Sequence, residues 1–163
     1  MRLIYTKPKL VDLSQGSRIA FARQFRLLSQ DNVSDQLGLT GECKRRTMTR
    51  YEKGNRHPKN DRTLEIAKIL NVNINAIKQY EFKEPTDIIY MLMWLEELIP
   101  NYYIDLSDIP SINNKTLLII KSAFIEWNQM RNKRARREIS YEEYIEWKLN
   151  FKLKGEFKNE WNY

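Results

Sequence analysis

The 163-residue sequence holds one cysteine, Cys43, and one histidine, His57. One thiol cannot close an internal disulfide, and one thiol with one imidazole cannot complete a zinc finger. Five Gly and five Pro are too few for an all-β protein built on many tight turns. The longest apolar run, Ile88 to Leu95, is far shorter than a bilayer-spanning helix. A cleavable leader is not expected, because Lys7 and Lys9 interrupt the apolar positions that end at Tyr5. No Gly-rich phosphate loop, metal-ligand cluster or nucleophile motif accompanies the lone His57. Glu142, Glu143 and Glu146 fall on a helix cap and helix surface, which suits solubility better than acid–base work. The expectation is a cytoplasmic protein that is not an enzyme, with no metal, no cofactor and no membrane association.

What is present is a sizeable apolar fraction, 42 % of the residues, and a formal charge of +7. The first is enough for a real core, which argues against global disorder. The second favours a polyanionic partner. The charge is unevenly placed: residues 1–80 hold 16 Lys and Arg against 7 Asp and Glu, while residues 81–163 hold 12 against 14. Concentration of the excess in one half is a stronger signal than the excess itself.

Residues 1–13 read as an extended basic arm around Lys7-Pro8-Lys9. From Ser14 the apolar positions Ile19, Phe21, Ala22, Phe25 and Leu28 recur near helical spacing, with Arg18, Arg23 and Arg26 assigned to the remaining surface. Ser29 fits the N-cap of a second helix holding Val33 and Leu37 and closed by Gly38. Leu39 to Lys44 reads as a turn. A third helix, about 45–53, stops at Gly54, and Pro58 disfavours helix in the residue before it. Asn60 or Asp61 is expected to cap a fourth helix with Leu64, Ile66, Ala67 and Leu70, and Asn73 a short fifth. Past Glu84-Pro85 the composition turns acidic and Trp-rich. Helices are expected from about Thr86 to Leu98, from about Lys115 to Arg136 with Leu118, Ile119, Ala123, Phe124, Trp127 and Met130 on its apolar positions, and from the capping-box pattern Ser140-Tyr141-Glu142-Glu143 to about Phe151. Tyr102–Leu106 leaves room for one small β-hairpin.

The informative stretch is Ser29 to Lys59. A pair of helices that reads DNA needs one lying across the phosphate backbone and a second entering the major groove. The entering helix must be basic or polar outward and apolar where it docks. Arg45, Arg46, Thr47, Thr49 and Arg50 meet the first need, Met48 and Tyr51 the second, and an arginine fork pairs bidentately with guanine O6 and N7. Leu28-Ser29-Gln30, Leu37-Gly38-Leu39, Met48-Thr49-Arg50-Tyr51-Glu52-Lys53-Gly54 and Pro58 together resemble the Cro/cI-type, or XRE-family, helix-turn-helix over roughly residues 15–80. Ser34 stands where that family usually has alanine, and the turn Thr40-Gly41-Glu42-Cys43-Lys44 is longer than usual, which bears on the register of Arg45 and Arg46. The resemblance implies base reading by Arg45, Arg46, Thr47, Thr49 and Arg50, and phosphate contacts by Gln30, Lys44, Asn55, Arg56 and Lys59.

The second half is similar to the C-terminal pieces of small Firmicutes mobile-element regulators, on Phe124, Trp127, Met130, Ile139-Ser140, Glu143-Tyr144 and Trp147. The expected fold is all-α, a five-helix Cro/cI-like helix-turn-helix domain over 14–83 followed by a smaller helical domain over 84–163 that dimerises or binds a partner. The aromatic residues Trp94, Tyr102, Tyr103, Phe124, Trp127, Tyr144 and Trp147 are read as core or dimer surface rather than a ligand cage, and Arg131 to Arg137 as a cationic helix end. The expected function is that of a sequence-specific transcriptional regulator, a repressor, binding double-stranded DNA as a homodimer. The alternative is a protein-binding inhibitor resembling mobile-element anti-CRISPR proteins, acting through the C-terminal half. An antitoxin is a third reading.

Overall fold

The computed structural model describes residues 7–41, 43–99 and 115–154. Among them the chain is all-helical: α1 (Gln15–Phe25), α2 (Gln30–Gln36), α3 (Lys44–Glu52), α4 (Asn60–Leu70), α5 (Ile74–Ile77), α6 (Pro85–Leu98), α7 (Lys115–Ala135) and α8 (Tyr141–Asn150). The segment 102–106, where a hairpin was conceivable, lies outside the described residues.

Local chemistry sets most of the helix ends. Ser14 and Ser29 accept the backbone N–H groups of Ser17 and Asn32, and Ser29 forms a full capping box with Asn32. Ser140 and Glu143 form the second box, at the start of α8. Each such cap is worth about 1 kcal/mol. Pro85 opens α6 from its first turn, where its missing N–H costs nothing. The N-cap of α4 is Lys59 rather than Asn60 or Asp61, and it makes no side-chain cap bond. Lys59 is itself extended, at φ −66° and ψ 164°, and the helix begins at once after it.

The described part of the arm, residues 7–13, is tied to the domain. Pro8 and Leu10 are buried, and the backbone N–H groups of Val11 and Asp12 donate to Ser17 Oγ at 3.0 and 3.1 Å. The arginines of α1 overturn the expectation of a solvated face. Arg18 is buried, donating to the carbonyls of Ala76 and Lys78 at 3.2 and 2.8 Å and stacking on the Tyr80 ring. Burial pulls its pKa below the ordinary arginine value. Arg23 and Arg26 are only partly exposed. All three face backbone carbonyls or carboxylates that other helices bring to α1, and a guanidinium so paired can leave water.

The core runs on from this half into the next. Phe21 of α1 meets Trp94 of α6 edge to face at 5.2 Å, and Trp94 Nε1 donates to Ala76 O at 2.9 Å. Asn73 joins α5 to α8 twice, its N–H donating to Leu149 O and its side chain to Phe151 O, both at 2.9 Å. Tyr90 O–H donates to the same Phe151 carbonyl at 2.6 Å. Ile119, Ala123 and Trp127 of α7 are buried and Phe124 and Met130 half-buried, whereas Leu118 is exposed.

Candidate nucleic-acid interface

α2 and α3 are the pair that resembles a helix-turn-helix, and their joint is built residue by residue. Leu37 caps α2, Gly38 turns back at φ +68°, and Leu39 N–H closes onto Ser34 O at 3.0 Å. Gly41 supplies a second left-handed step at φ +80° before α3 begins at Lys44. The connection from Leu37 to Cys43 is thus long but anchored. Ser34, fully buried, donates its hydroxyl to Lys44 O at 3.1 Å, which fixes the start of α3 on α2. The alanine-like size of Ser34 was legible in the sequence; this bond was not.

The inner face of α3 is Met48 and Tyr51, both buried. Gly16 of α1 lies against the end of the same helix, where a Cβ would stand 2.3 Å from Tyr51 O. Glu52 completes the docking. Its carboxylate takes Arg23 through two guanidinium nitrogens at 2.5 and 3.0 Å and Gln30 Nε2 at 2.7 Å. Arg23 also donates to Leu28 O at 2.7 Å. Gln30 Oε1 in turn accepts from Thr49 Oγ1 at 3.0 Å. The chain Arg23–Glu52–Gln30–Thr49 therefore ties α1, α2 and α3 into one rigid unit. Sequence reasoning put Arg23 on the surface and gave Glu52 no contact of its own; an arginine on α1 and a glutamate within Tyr51-Glu52-Lys53 gave no local sign of pairing.

The outer face is cationic. Arg45, Arg46 and Arg50 are exposed, and no ion pair joins them to a carboxylate among the described residues. Thr47 and Thr49 are half-buried, the Thr47 hydroxyl turned toward the helix at Cys43 O (3.3 Å) and that of Thr49 within reach of Arg45 O (3.0 Å) as the alternative to Gln30. Lys44 is paired with Asp35 at 2.6 Å, and that hydrogen bond and charge raise its pKa above the ordinary lysine value. Gly54, at φ +73°, stops α3, and the N–H of Arg56 returns to Arg50 O at 3.2 Å. Asn55, Arg56, His57 and Lys59 are all exposed along this exit, with Pro58 buried beneath them. Of the base-reading candidates, Arg45, Arg46 and Arg50 are thus exposed on α3 and Thr47 and Thr49 half-buried beside its docking side, and Asn55, Arg56 and Lys59 follow in the chain. Gln30 and Lys44 spend their polar ends partly on protein.

The other sequence candidates fall elsewhere. Cys43 is exposed at the N-cap of α3. Trp94, Trp127 and Tyr144 are buried and Phe124 and Trp147 half-buried in the core, while Tyr102 and Tyr103 lie outside the described residues. No group of His, Cys, Asp or Glu among the described residues is arranged to hold a metal, and no described helix is long and apolar enough to cross a membrane.

An apolar-backed cationic helix, clamped to the helix before it, defines the class of this region. Residues 16–81 match the family model described as a helix-turn-helix domain. Comparison with curated proteins and with solved structures returned no match. Among the described residues the chain is all-helical, with a helix-turn-helix domain over 16–81 and three further helices, α6, α7 and α8, beyond it.

Proposed function

We propose that the protein is a sequence-specific DNA-binding regulator of the XRE type, a repressor, that reads the major groove with α3. The observation that carries this is the pairing of opposite faces on one short helix. Met48 and Tyr51 anchor it while Arg45, Arg46 and Arg50 stand exposed with no carboxylate partner. Three uncompensated guanidinium groups on a rigid helix suit guanine edges and flanking phosphates. Thr47 and Thr49 keep acceptor lone pairs beside them. Asn55, Arg56 and Lys59 are the phosphate contacts after the helix. Lys44 and Gln30 are contacts before it: an amide nitrogen has two hydrogens, and Glu52 takes one from Gln30. One such helix reads only a few base pairs, so the functional species is a homodimer, with residues 84–163 supplying the dimer surface. The protein acts by binding rather than catalysis.

The test is binding to a labelled duplex of the gene's own upstream region, titrated with salt and unrelated competitor DNA. Wild type should bind tightly, survive competitor and lose affinity as salt rises. Arg45→Ala/Arg46→Ala should lose at least about tenfold, each good base contact being worth about 1–3 kcal/mol. Weak binding that competitor removes and the double variant leaves unchanged would sink the proposal and favour an inhibitor acting through the second half.

A further inference from the structure

The first turn of α3 carries its charges against the polarity of the helix. Lys44, Arg45 and Arg46 open it with no acidic residue among them, and Cys43 before them makes no side-chain cap bond. A helix N-terminus bears a partial positive charge and favours carboxylates, so the helix itself disfavours three successive cations there. Among the described residues one carboxylate pairs with any of the three: Asp35 Oδ1 accepts from Lys44 Nζ at 2.6 Å.

Asp35 stands against its own helix in the same way. It lies in the last turn of α2, where the carbonyl end is negative and a carboxylate is disfavoured. Asp31, one turn earlier, meets the favourable end of α2 and so has a local reason to be acidic. It acts on Lys44 through its charge, without a hydrogen bond. Neither helix thus accounts for the pair Asp35–Lys44. Nor does stability, because an ion pair so open to water, with Lys44 37 % and Asp35 56 % exposed, contributes little. α3 is held to its neighbours by Ser34, Met48, Tyr51 and the Glu52 carboxylate, and Asp35 takes part in none of those contacts.

We infer that Asp35 is a resident counter-ion for Lys44, holding in the free protein the ammonium that a backbone phosphate takes in the complex, and so lowering the affinity of the α3 face for any duplex. The inference rests on the reading of α3 as the helix that faces DNA. An ammonium already neutralised by a carboxylate releases less counter-ion from the duplex when it reaches a phosphate. The carboxylate left beside the backbone then repels it. Arg45, Arg46 and Arg50 have no such partner among the described residues. The attenuation therefore falls on phosphate contact, which carries no sequence information, and leaves the base-reading forks free.

The test measures binding of the full chain to two labelled duplexes, the gene's upstream region and an unrelated sequence of the same length, across a salt series. Asp35→Asn keeps the size of the side chain and removes its charge. It should bind the unrelated duplex about threefold or more tighter than wild type at low salt, with a salt slope steeper by about 0.9, one further phosphate contact. Lys44→Gln should lower affinity by a larger factor in the Asp35→Asn background than in wild type, because the two residues are coupled. Asp31→Asn should raise affinity by less than Asp35→Asn does. Equal affinities of wild type and Asp35→Asn, or a gain that Lys44→Gln does not diminish, overturn the inference and leave the regulator reading standing. Weaker binding of both duplexes by Asp35→Asn would make the pair a brace for α3, and weaker binding of the upstream duplex alone would make Asp35 a base reader. Either result overturns the inference too. If wild type binds neither duplex at low salt, the reading of α3 falls and the inference falls with it. Circular dichroism checks the helical content of Asp35→Asn; should that be lost, Asp35→Ser serves for the same comparison.

Discussion

A single hydrogen at position 16 sets how closely α1 approaches the end of α3. A Cβ there would stand 2.3 Å from Tyr51 O and 2.6 Å from Glu52 O, and both are backbone atoms that no rotamer change can move aside. Gly16→Ala must push two helices apart, and overpacking of this kind costs about 3 kcal/mol. Urea unfolding should show that loss; a variant within about 0.5 kcal/mol of wild type would mean that the helices yield freely. The same reasoning separates what single residues disclosed from what they hid. Met48 and Tyr51 were readable as docking residues because apolar side chains three apart share a helix face. Ser29 and Ser140 were readable because capping is local chemistry. Arg18, Arg23 and Arg26 were misread as surface, since what buries them is remote: Glu52 is 29 positions from Arg23, Ala76 is 58 from Arg18, and Glu146 is 120 from Arg26. No window of sequence holds both members of such a pair. For the same reason the exposed arginines of α3 were legible and the inward ties of Gln30 and Thr49 were not.

Among the elements, α8 is the one whose role its own pattern least disclosed. Its capping box and apolar positions mark a helix, but not that it brackets the helix-turn-helix half from the far end of the chain. Leu149 O and Phe151 O receive Asn73, and Glu146 chelates Arg26 through both carboxylate oxygens. That hydrogen bonding to Arg26 is the main cause holding the Glu146 carboxyl below the ordinary glutamate value, against some desolvation. A depressed carboxyl adds stability that is fully present above the unfolded-state pKa and is lost as pH falls through the lower folded one. Glu146 is 43 % exposed, so solvent screens the pair and its share stays within about 1 kcal/mol. Wild type should therefore lose more stability between about pH 6 and about pH 3 than Glu146→Gln does, a difference read from urea midpoints at the two pH values. Equal losses would show that the clip between α1 and α8 contributes nothing that titrates.

For the molecule as a whole, the division of charge bears on where the proposed pair would meet. The excess of positive charge lies in residues 1–80, and copies that repel one another there must meet elsewhere. Beyond Pro85, where the net charge is slightly acidic, Ile88 of α6 and Leu118 and Ile125 of α7 are exposed. Apolar side chains of this size are costly in water and inexpensive at a contact between copies. A symmetric pair joined through these helices presents two α3 faces related by a two-fold axis. Its operator is then a pseudo-palindrome with half-site centres about 34 Å apart or a multiple of it. Sedimentation equilibrium should give a dimer whose dissociation constant rises with Leu118→Lys/Ile125→Lys, while the helical content stays unchanged. Insertion of about five base pairs between half-sites turns one of them to the opposite face of the duplex and should reduce affinity to that of a single half-site. A monomer that binds both spacings equally would remove the symmetric pair and leave each α3 to read its few base pairs alone.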